Sequence, residues 1–382
     1  MAISVSEVLE VVEGVKKQVT PKYIQECSRN HTFPEKLWNV AADLGLMGIG
    51  VPEKLGGAGG GVTELVALTE ALCRAGLELP QLLMLGFVRQ SIIEHGTEAQ
   101  RRKYVEPTIN GKLRLCFAIT EPNAGTNTFK MQTLARQTPE GSYRLNGQKT
   151  FISGFEGADY CLLVARTTPY KEVTDRRQGI SLFILDTKAK GISKTRLDIG
   201  LDMAESQWTL YFDDVEIPAE NRIGEEGKGI KYLFSTLNPE RMIVAATSLG
   251  GGDYVLGKAV EYAKQRAPFD TPIGAYQGIQ HPLAYAKAHL EAARCMLYKA
   301  CAMYDAGQDC GAYANMAKLL ASDAGMEAVN IALQTFGGSG VDHETGIIRH
   351  FAVMKLKQIA PISNQMVLNH IGEHVLGLPK SY

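Results

Sequence analysis

The chain has 382 residues, 45% of them apolar and 21% charged, which excludes a disordered protein and, at ~100–200 residues per domain, makes two or three domains the expectation. Forty basic residues against 41 acidic ones leave a net charge of −1, without the basic excess that a nucleic-acid partner held through its phosphates requires. Unbroken apolar stretches such as Leu82–Val88 fall far short of the ~20 residues of a membrane-spanning helix, so no membrane span is expected.

At the amino end, Glu7, Glu10 and Glu13 alternate with Val5, Val8, Leu9 and Val12. That is an amphipathic helix, without the basic head and apolar block of a secretory signal. Seven cysteines, an odd number, run from Cys27 to Cys310 without a Cys-x-x-Cys pair. They read as buried thiols of a reducing compartment: the cytoplasm, or the mitochondrial matrix for a processed chain. Residues 1–112 carry helical signals throughout. Thr32-Phe-Pro-Glu35 and Thr97-Glu-Ala-Gln100 are capping boxes, and the periodic run from Thr63 through Leu65, Leu68 and Leu72 stops at Gly76. Gly56-Gly-Ala-Gly-Gly-Gly61 fits the dinucleotide fingerprint in no register and follows no buried strand, so it reads as a flexible connection.

Over residues 113–224 the period changes. Tyr143–Ser153 reads as two short extended runs around Asn146-Gly147, a hairpin signal. Asp159–Ala165, Ile180–Leu185 and Trp208–Phe212 are strand-length runs rich in branched and aromatic residues. With no helix between them, they predict an antiparallel β domain. From 225 to 382 the helical period returns. Asn238 and Pro239 suit the cap and first position of a helix reaching Gln265, followed by helices over Gln280–Ala306 and Tyr313–Phe336, the last stopped by Gly337-Gly338. The expected fold is α+β: an N-terminal helical domain, a middle antiparallel β domain and a C-terminal four-helix-bundle-like domain.

Four separated segments carry chemistry. Ala118-Ile-Thr120-Glu-Pro-Asn-Ala-Gly-Thr126 is a strand running into a turn whose backbone N–H groups and hydroxyls suit a pyrophosphate. Lys149-Thr-Phe151-Ile-Ser153 offers an aromatic face and, two residues on, a hydroxyl for a flat heterocycle. Arg266–Gln280 supplies cation, aromatic and amide groups between two helices, and Gln334-Thr-Phe-Gly337-Gly338-Ser-Gly340 is a helix end with close-approach glycines. His370-Ile-Gly-Glu-His374 matches a zinc-protease signature, but only eight residues follow it to supply a third ligand. It reads as a terminal helical surface, with no metal expected.

In this order and spacing the four segments resemble the acyl-CoA dehydrogenase family of flavoproteins. So do Leu44–Gly57 and Phe212-Asp-Asp-Val-Glu-Ile-Pro218-Ala-Glu-Asn-Arg-Ile-Gly224. The resemblance covers nearly the whole chain and implies FAD in a cleft between the β domain and the C-terminal helices. It implies that Phe117, Ile119, Thr120, Gly125 and Thr126 lie along flavin and pyrophosphate. Phe151 and Ser153 stand where the family usually has Trp and Thr beside the isoalloxazine, and Ser363 also falls on the cofactor side. Arg266, Phe269, Gln277, Gln334, Gly337 and Gly338 match residues that grip the adenine half of FAD from a neighbouring subunit, which implies a homo-oligomer, dimer or tetramer. Asp270 replaces a usual glycine there. Thr126, Asn238 and Arg241 fall on the thioester side.

The family's chemistry is removal of a proton at Cα and a hydride at Cβ of an acyl-CoA thioester, with electrons passed to an electron-transfer flavoprotein. Many members carry the base in a Tyr-Glu-Gly-Thr motif near the C-terminus. Here Pro361 stands at that glutamate, after Ala360. A second subgroup, resembling isovaleryl- and long-chain acyl-CoA dehydrogenases, carries it at the start of the long C-terminal-domain helix. The matching Leu237-Asn-Pro-Glu240-Arg241 does hold a glutamate, so Glu240 is the expected base, its pKa lowered by a helix N-terminus and raised by burial. Proline has no N–H for the thioester oxygen, a donor worth ~10²–10³ in rate, whereas a one-residue shift puts Ala360 there and restores it. Three competing readings stand beside this one: an enoyl-CoA reductase resembling crotonobetainyl-CoA reductase, a catalytically silent subunit of a hetero-oligomer, and a metallopeptidase.

Overall fold

The computed structural model describes residues 3–381. Seven helices lead: α1 (Val5–Lys16), α2 (Pro21–Asn30), α3 (Glu35–Asp43), α4 (Val62–Arg74), α5 (Gln81–His95), α6 (Glu98–Tyr104) and α7 (Glu106–Ile109). The Thr97/Gln100 capping box forms at α6. The one expected at Thr32 does not: α3 follows Pro34 without a side-chain cap. Packing fixes that corner instead, with the Phe33 ring edge-on to Trp38 at 5.8 Å and Trp38 Nε1 donating to the Gly111 carbonyl at 2.9 Å. The glycine run at 56–61 is a built turn rather than a flexible link. Gly59 bridges Ile49 and Val51, and a Cβ on Gly57 would collide with Val51.

The middle of the chain forms one sheet from β1 (Leu115–Ala118), β2 (Leu134–Gln137), β3 (Tyr143–Ser153), β4 (Tyr160–Arg166), β5 (Ile180–Asp186), β6 (Ile192–Arg196), β7 (Gln207–Ile217) and β8 (Arg222–Ile223). Its order is β6-β7-β3-β2-β4-β5-β8, with β1 beside β4. The expectation of a purely antiparallel domain needs correction, because β1 runs parallel to β4 and β2 touches β4 in parallel. Nor is there a hairpin at Asn146-Gly147. β3 continues through it, and Gly147 (φ 139°) lies over Thr133 where the register with β7 slips, so the glycine marks a bulge. Along β4, Leu162 and Val164 join a core shared with the helices, while Cys161, Leu163 and Ala165 join a second core on the other face. Burial on both faces explains why β4 and β5 read as continuous apolar runs.

The C-terminal part comprises α8 (Gly229–Gln265), α9 (Gln277–Asp305), α10 (Gly311–Phe336), α11 (Arg349–Ile359) and α12 (Asn364–His370). The expected start of α8 is wrong by ten residues: Asn238 and Pro239 lie inside the helix. Proline there costs about 3 kcal/mol or more, but Ile230 and Leu233 of the preceding turns are buried against the sheet and Leu237 packs on them, so tertiary burial carries the helix through. All seven cysteines are free, and Cys295 departs from expectation by being exposed. No helix among the described residues is long and apolar enough to cross a membrane.

Candidate active site

β1 leads into a turn closed by backbone bonds between Glu121 and Ala124. Behind it lies a buried ion pair, Lys149 Nζ to Glu121 Oε1 at 2.9 Å. The Glu121 carboxylate also accepts the Gln132 and Thr133 N–H groups, at 2.6 and 3.0 Å, and Lys149 donates to the Ile119 carbonyl at 2.7 Å. Burial raises the Glu121 pKa, but Lys149 and these donors outweigh it, so the group stays below the usual range and ionised. The Thr150 N–H donates to the Thr120 carbonyl at 2.9 Å. Thr120, Gly125 and Thr126 are thereby tied to the strand bearing Phe151. Gly125 and Thr126 are exposed, with open space where a Gly125 Cβ would stand.

Phe151 is 60% exposed and has φ +57°. A left-handed phenylalanine is strained, and here it sits where β3 slips register against β7. The bulge turns the ring outward while Ile152 stays in the core. Ser153 is paired with Gln207 on β7, and its hydroxyl accepts from Gln207 Nε2 at 2.6 Å, leaving its own proton to be directed elsewhere.

On α8, Thr236, Glu240 and Ile243 fall on one stripe. That stripe faces α5: the Thr236 hydroxyl meets Ser91 Oγ at 3.0 Å, and Gly86 leaves room only for the Ile243 side chain. Leu237, beside Glu240, packs in the same cluster as Phe117 and Ile119. Glu240 is 7% exposed, and no hydrogen bond to its carboxyl is found among the described residues. Burial raises it to about 7, against the opposing pull of Arg241. The helix N-terminus invoked from sequence plays no part, because the helix begins about three turns earlier. Arg241 makes no close ion pair with Glu240. It donates to Asn238 Oδ1 at 3.0 Å, and its buried Nε has no partner.

Segment 360–364 is held by Lys318, whose ammonium feels the charge of Arg241. Lys318 donates to the Ile362 carbonyl and to Asn364 Oδ1, both at 2.7 Å, and Ser363 accepts from the Met366 N–H at 3.3 Å as the cap of α12. Neither residue considered for the oxyanion can donate: Pro361 has no N–H, and that of Ala360 is taken by the Leu356 carbonyl at 2.8 Å. His370 and His374 have rings 4.6 Å apart, but no group of three or more His, Cys, Asp or Glu able to hold a metal occurs among the described residues.

Arg266, Phe269, Gln277, Gln334, Gly337 and Gly338 gather elsewhere, at the far end of α8, ~40 Å along its axis from Glu240. Tyr262 stacks on Phe336 at 4.3 Å and joins the two segments. Phe269 is 81% exposed, and neither Gly337 nor Gly338 has a neighbour where a Cβ would be. Phe151 presents an exposed ring, the 121–126 turn presents open backbone and Glu240 is a buried acid, the kinds of group that a flat heterocycle with a phosphate tail and a proton transfer require. Sequence reasoning missed the Lys149–Glu121 pair, Gln207 and Gln81. The pair's only signal was an acid in the turn and a lysine in the strand, joined by no local spacing.

Family models match almost the whole chain: the N-terminal domain of acyl-CoA dehydrogenase over 7–112, its middle domain over 116–215 and its C-terminal domain over 227–376. The acyl-CoA dehydrogenase FadE12 of Mycobacterium tuberculosis is 40% identical over 94% of this chain and 93% of its own. The caffeyl-CoA reductase-Etf complex subunit CarC of Acetobacterium woodii is 33% identical over 88% of each. The structure of butyryl-CoA dehydrogenase from Megasphaera elsdenii superposes with a TM-score of 0.91 at 32% identity, covering 98% of this chain and 99% of that one.

Proposed function

The chain belongs to the acyl-CoA dehydrogenase family of FAD-dependent oxidoreductases, and from that premise we propose that it forms an α,β-double bond in an acyl-CoA thioester with Glu240 as the base. The observation that carries this reading is a buried carboxyl held near neutrality, on the helix whose Leu237 packs on the same cluster as Phe117 and Ile119. A base whose pKa lies near the working pH combines a useful ionised fraction with real proton affinity. Burial among apolar groups supplies that value, and Arg241 keeps it from rising further.

Phe151 and Ser153 would hold the isoalloxazine, the Ser153 proton being free to donate because Gln207 occupies its lone pair. Thr120, Gly125 and Thr126 would hold the pyrophosphate, with Phe117 and Ile119 along the ring and Ser363 nearby. When bound, FAD supplies the acceptor for the hydride leaving Cβ. Asn238, Arg241 and Thr126 would position the thioester. Arg266, Phe269, Gln277, Gln334, Gly337 and Gly338 lie too far along α8 to serve their own chain's Glu240, which supports a homo-oligomer in which they serve a neighbour's cofactor. An electron-transfer flavoprotein is the proposed acceptor, and the name of CarC, a subunit of an Etf complex, supports it. The same likeness favours one second reading, the site running in reverse as an enoyl-CoA reductase.

The test is anaerobic bleaching of the purified yellow protein by a panel of acyl-CoA thioesters. Glu240→Gln is expected to keep the colour and slow bleaching ~10²–10⁴-fold. In the wild type the rate should rise with pH through about 7 and then level, because only the ionised carboxylate accepts a proton. A glutamine variant that bleaches at the wild-type rate refutes the assignment.

A further inference from the structure

Two buried polar side chains meet with hydrogen-bonding capacity to spare. Glu205, in the link between β6 and β7, is 4% exposed, and neither carboxyl oxygen makes a hydrogen bond. Gln81, the first residue of α5, is 1% exposed with its Oε1 likewise unpartnered. Both close on Gly154, the residue after Ser153: a Cβ there would meet Gln81 Nε2 at 3.1 Å and the Glu205 carboxyl carbon at 3.4 Å. The Gln81 amide thus lies against the carboxyl and favours its ionised form, though burial outweighs it. Buried polar atoms are nearly always paired, so three orphans at one spot, from two parts of the chain, call for a ligand.

The position of this spot relative to Glu240 follows from α5 and α8. Ser91 of α5 meets Thr236 and Gly86 meets Ile243, so the two helices run past Glu240 in opposite directions. Gln81 lies more than a turn beyond Gly86, on the side of Thr247. The Thr247 carbonyl and Glu78 share the Lys357 ammonium, each at 3.2 Å, and Glu78 in turn acts on Glu205. The orphan cluster therefore sits two turns of α8 from Glu240, ~11 Å. That is the separation of a reacting Cα and the far end of a medium acyl chain.

We propose that Gln81 and Glu205 close the inner end of the acyl cleft and recognise a hydroxyl group there, which makes the preferred substrates ω-hydroxyacyl-CoA thioesters; this rests on the dehydrogenase reading above. Burial, reinforced by Glu156 and Glu78 and opposed by Arg114 and the Gln81 amide, raises the Glu205 carboxyl to about 8, so at neutral pH it carries an O–H donor beside a carbonyl acceptor. Gln81 adds a second acceptor. A hydroxyl both donates and accepts and matches this set. A charged end group does not, because the nearby cations are already engaged, Arg114 with Glu35 and Lys357 with Glu78. Sites built to bond a hydroxyl reject the analogue lacking it strongly.

The test uses the holoenzyme and linear thioesters from butyryl- to dodecanoyl-CoA, each beside its ω-hydroxy counterpart. It measures flavin bleaching and, separately, binding through the perturbed flavin spectrum. At one chain length the hydroxylated thioester should exceed its methyl-ended partner by ~10²-fold or more in kcat/KM and bind more tightly. Glu205→Leu should invert that order, and Glu205→Gln, which retains hydrogen bonding, should keep part of it. Equal use of both series, an order unchanged in Glu205→Leu, or preference for an ω-amino or ω-carboxy chain overturns the proposal. If methyl-ended thioesters still bleach the flavin in those cases, the dehydrogenase reading stands. Failure of every thioester to bind or bleach overturns both.

Discussion

Lys149 acts from behind the glycine turn. It neutralises Glu121, whose carboxylate gathers two N–H groups from 132 and 133, and so fixes the path of Thr120 to Thr126. Removing one partner of a buried pair leaves an uncompensated charge and costs about 3–5 kcal/mol. Lys149→Met is therefore expected to lower the unfolding free energy read from chemical denaturation by that much and to weaken FAD retention, measured by flavin fluorescence after desalting. Glu121→Gln combined with Lys149→Met should recover much of the stability, since both charges are gone. At this scale the sequence was informative where chemistry is local. Phe151 and Ser153 were visible as a motif, and Glu240 was visible through the proline and arginine beside it. Its pKa was not legible for the right reason, because burial depends on α5 and β1, about 150 and 120 residues away in the chain. The Gln81–Glu205 contact left no trace in any local pattern.

α8 is 37 residues long, ~55 Å, and buried at its centre on every side. Gly250, Gly251 and Gly252 stand there in a row. A Cβ on Gly250 would strike the Glu70 carbonyl and Cys73 of α4, one on Gly251 would strike Met354 of α11, and one on Gly252 would crowd Leu290 of α9 and Gly325 of α10. Each glycine forfeits ~1 kcal/mol of helix propensity, and close packing offsets it. Opposite signs are expected within one helix. Gly250→Ala should destabilise by ~1–3 kcal/mol, because backbone cannot yield, whereas Gly257→Ala, exposed with nothing within 4 Å, should stabilise by ~0.5–1 kcal/mol, both read from thermal unfolding. The long helices and the double-sided strands were legible because periodicity and burial agree over many residues. Asn146-Gly147 and Asn238-Pro239 misled for a common reason: each is a strong local signal for a chain end or turn, overridden by packing on both sides of it.

Across the whole molecule, α8 carries the candidate base about three turns from its start and Arg266 at its far end, with Phe269 projecting into solvent beyond it. If those residues complete a neighbour's cofactor site, FAD occupancy must depend on protein concentration. Dilution should release flavin in step with dissociation seen by sedimentation, and Arg266→Glu should give a paler protein at a given concentration. The order helical, sheet, helical was legible from the change of period at about 113 and 225. The parallel pairing of β1 with β4 was not, because it joins segments across an intervening strand pair. The double-sided burial of β4 and β5 also bears on how the chain is made. Cys161-Leu-Leu-Val-Ala165 and Ile180-Ser-Leu-Phe-Ile-Leu185 contain no charge, and Ile230 and Leu233, which help cover them, emerge later from the ribosome. Until they arrive, the nascent polypeptide presents two sticky, uncharged ribbons, so a product truncated near 224 would be prone to precipitate.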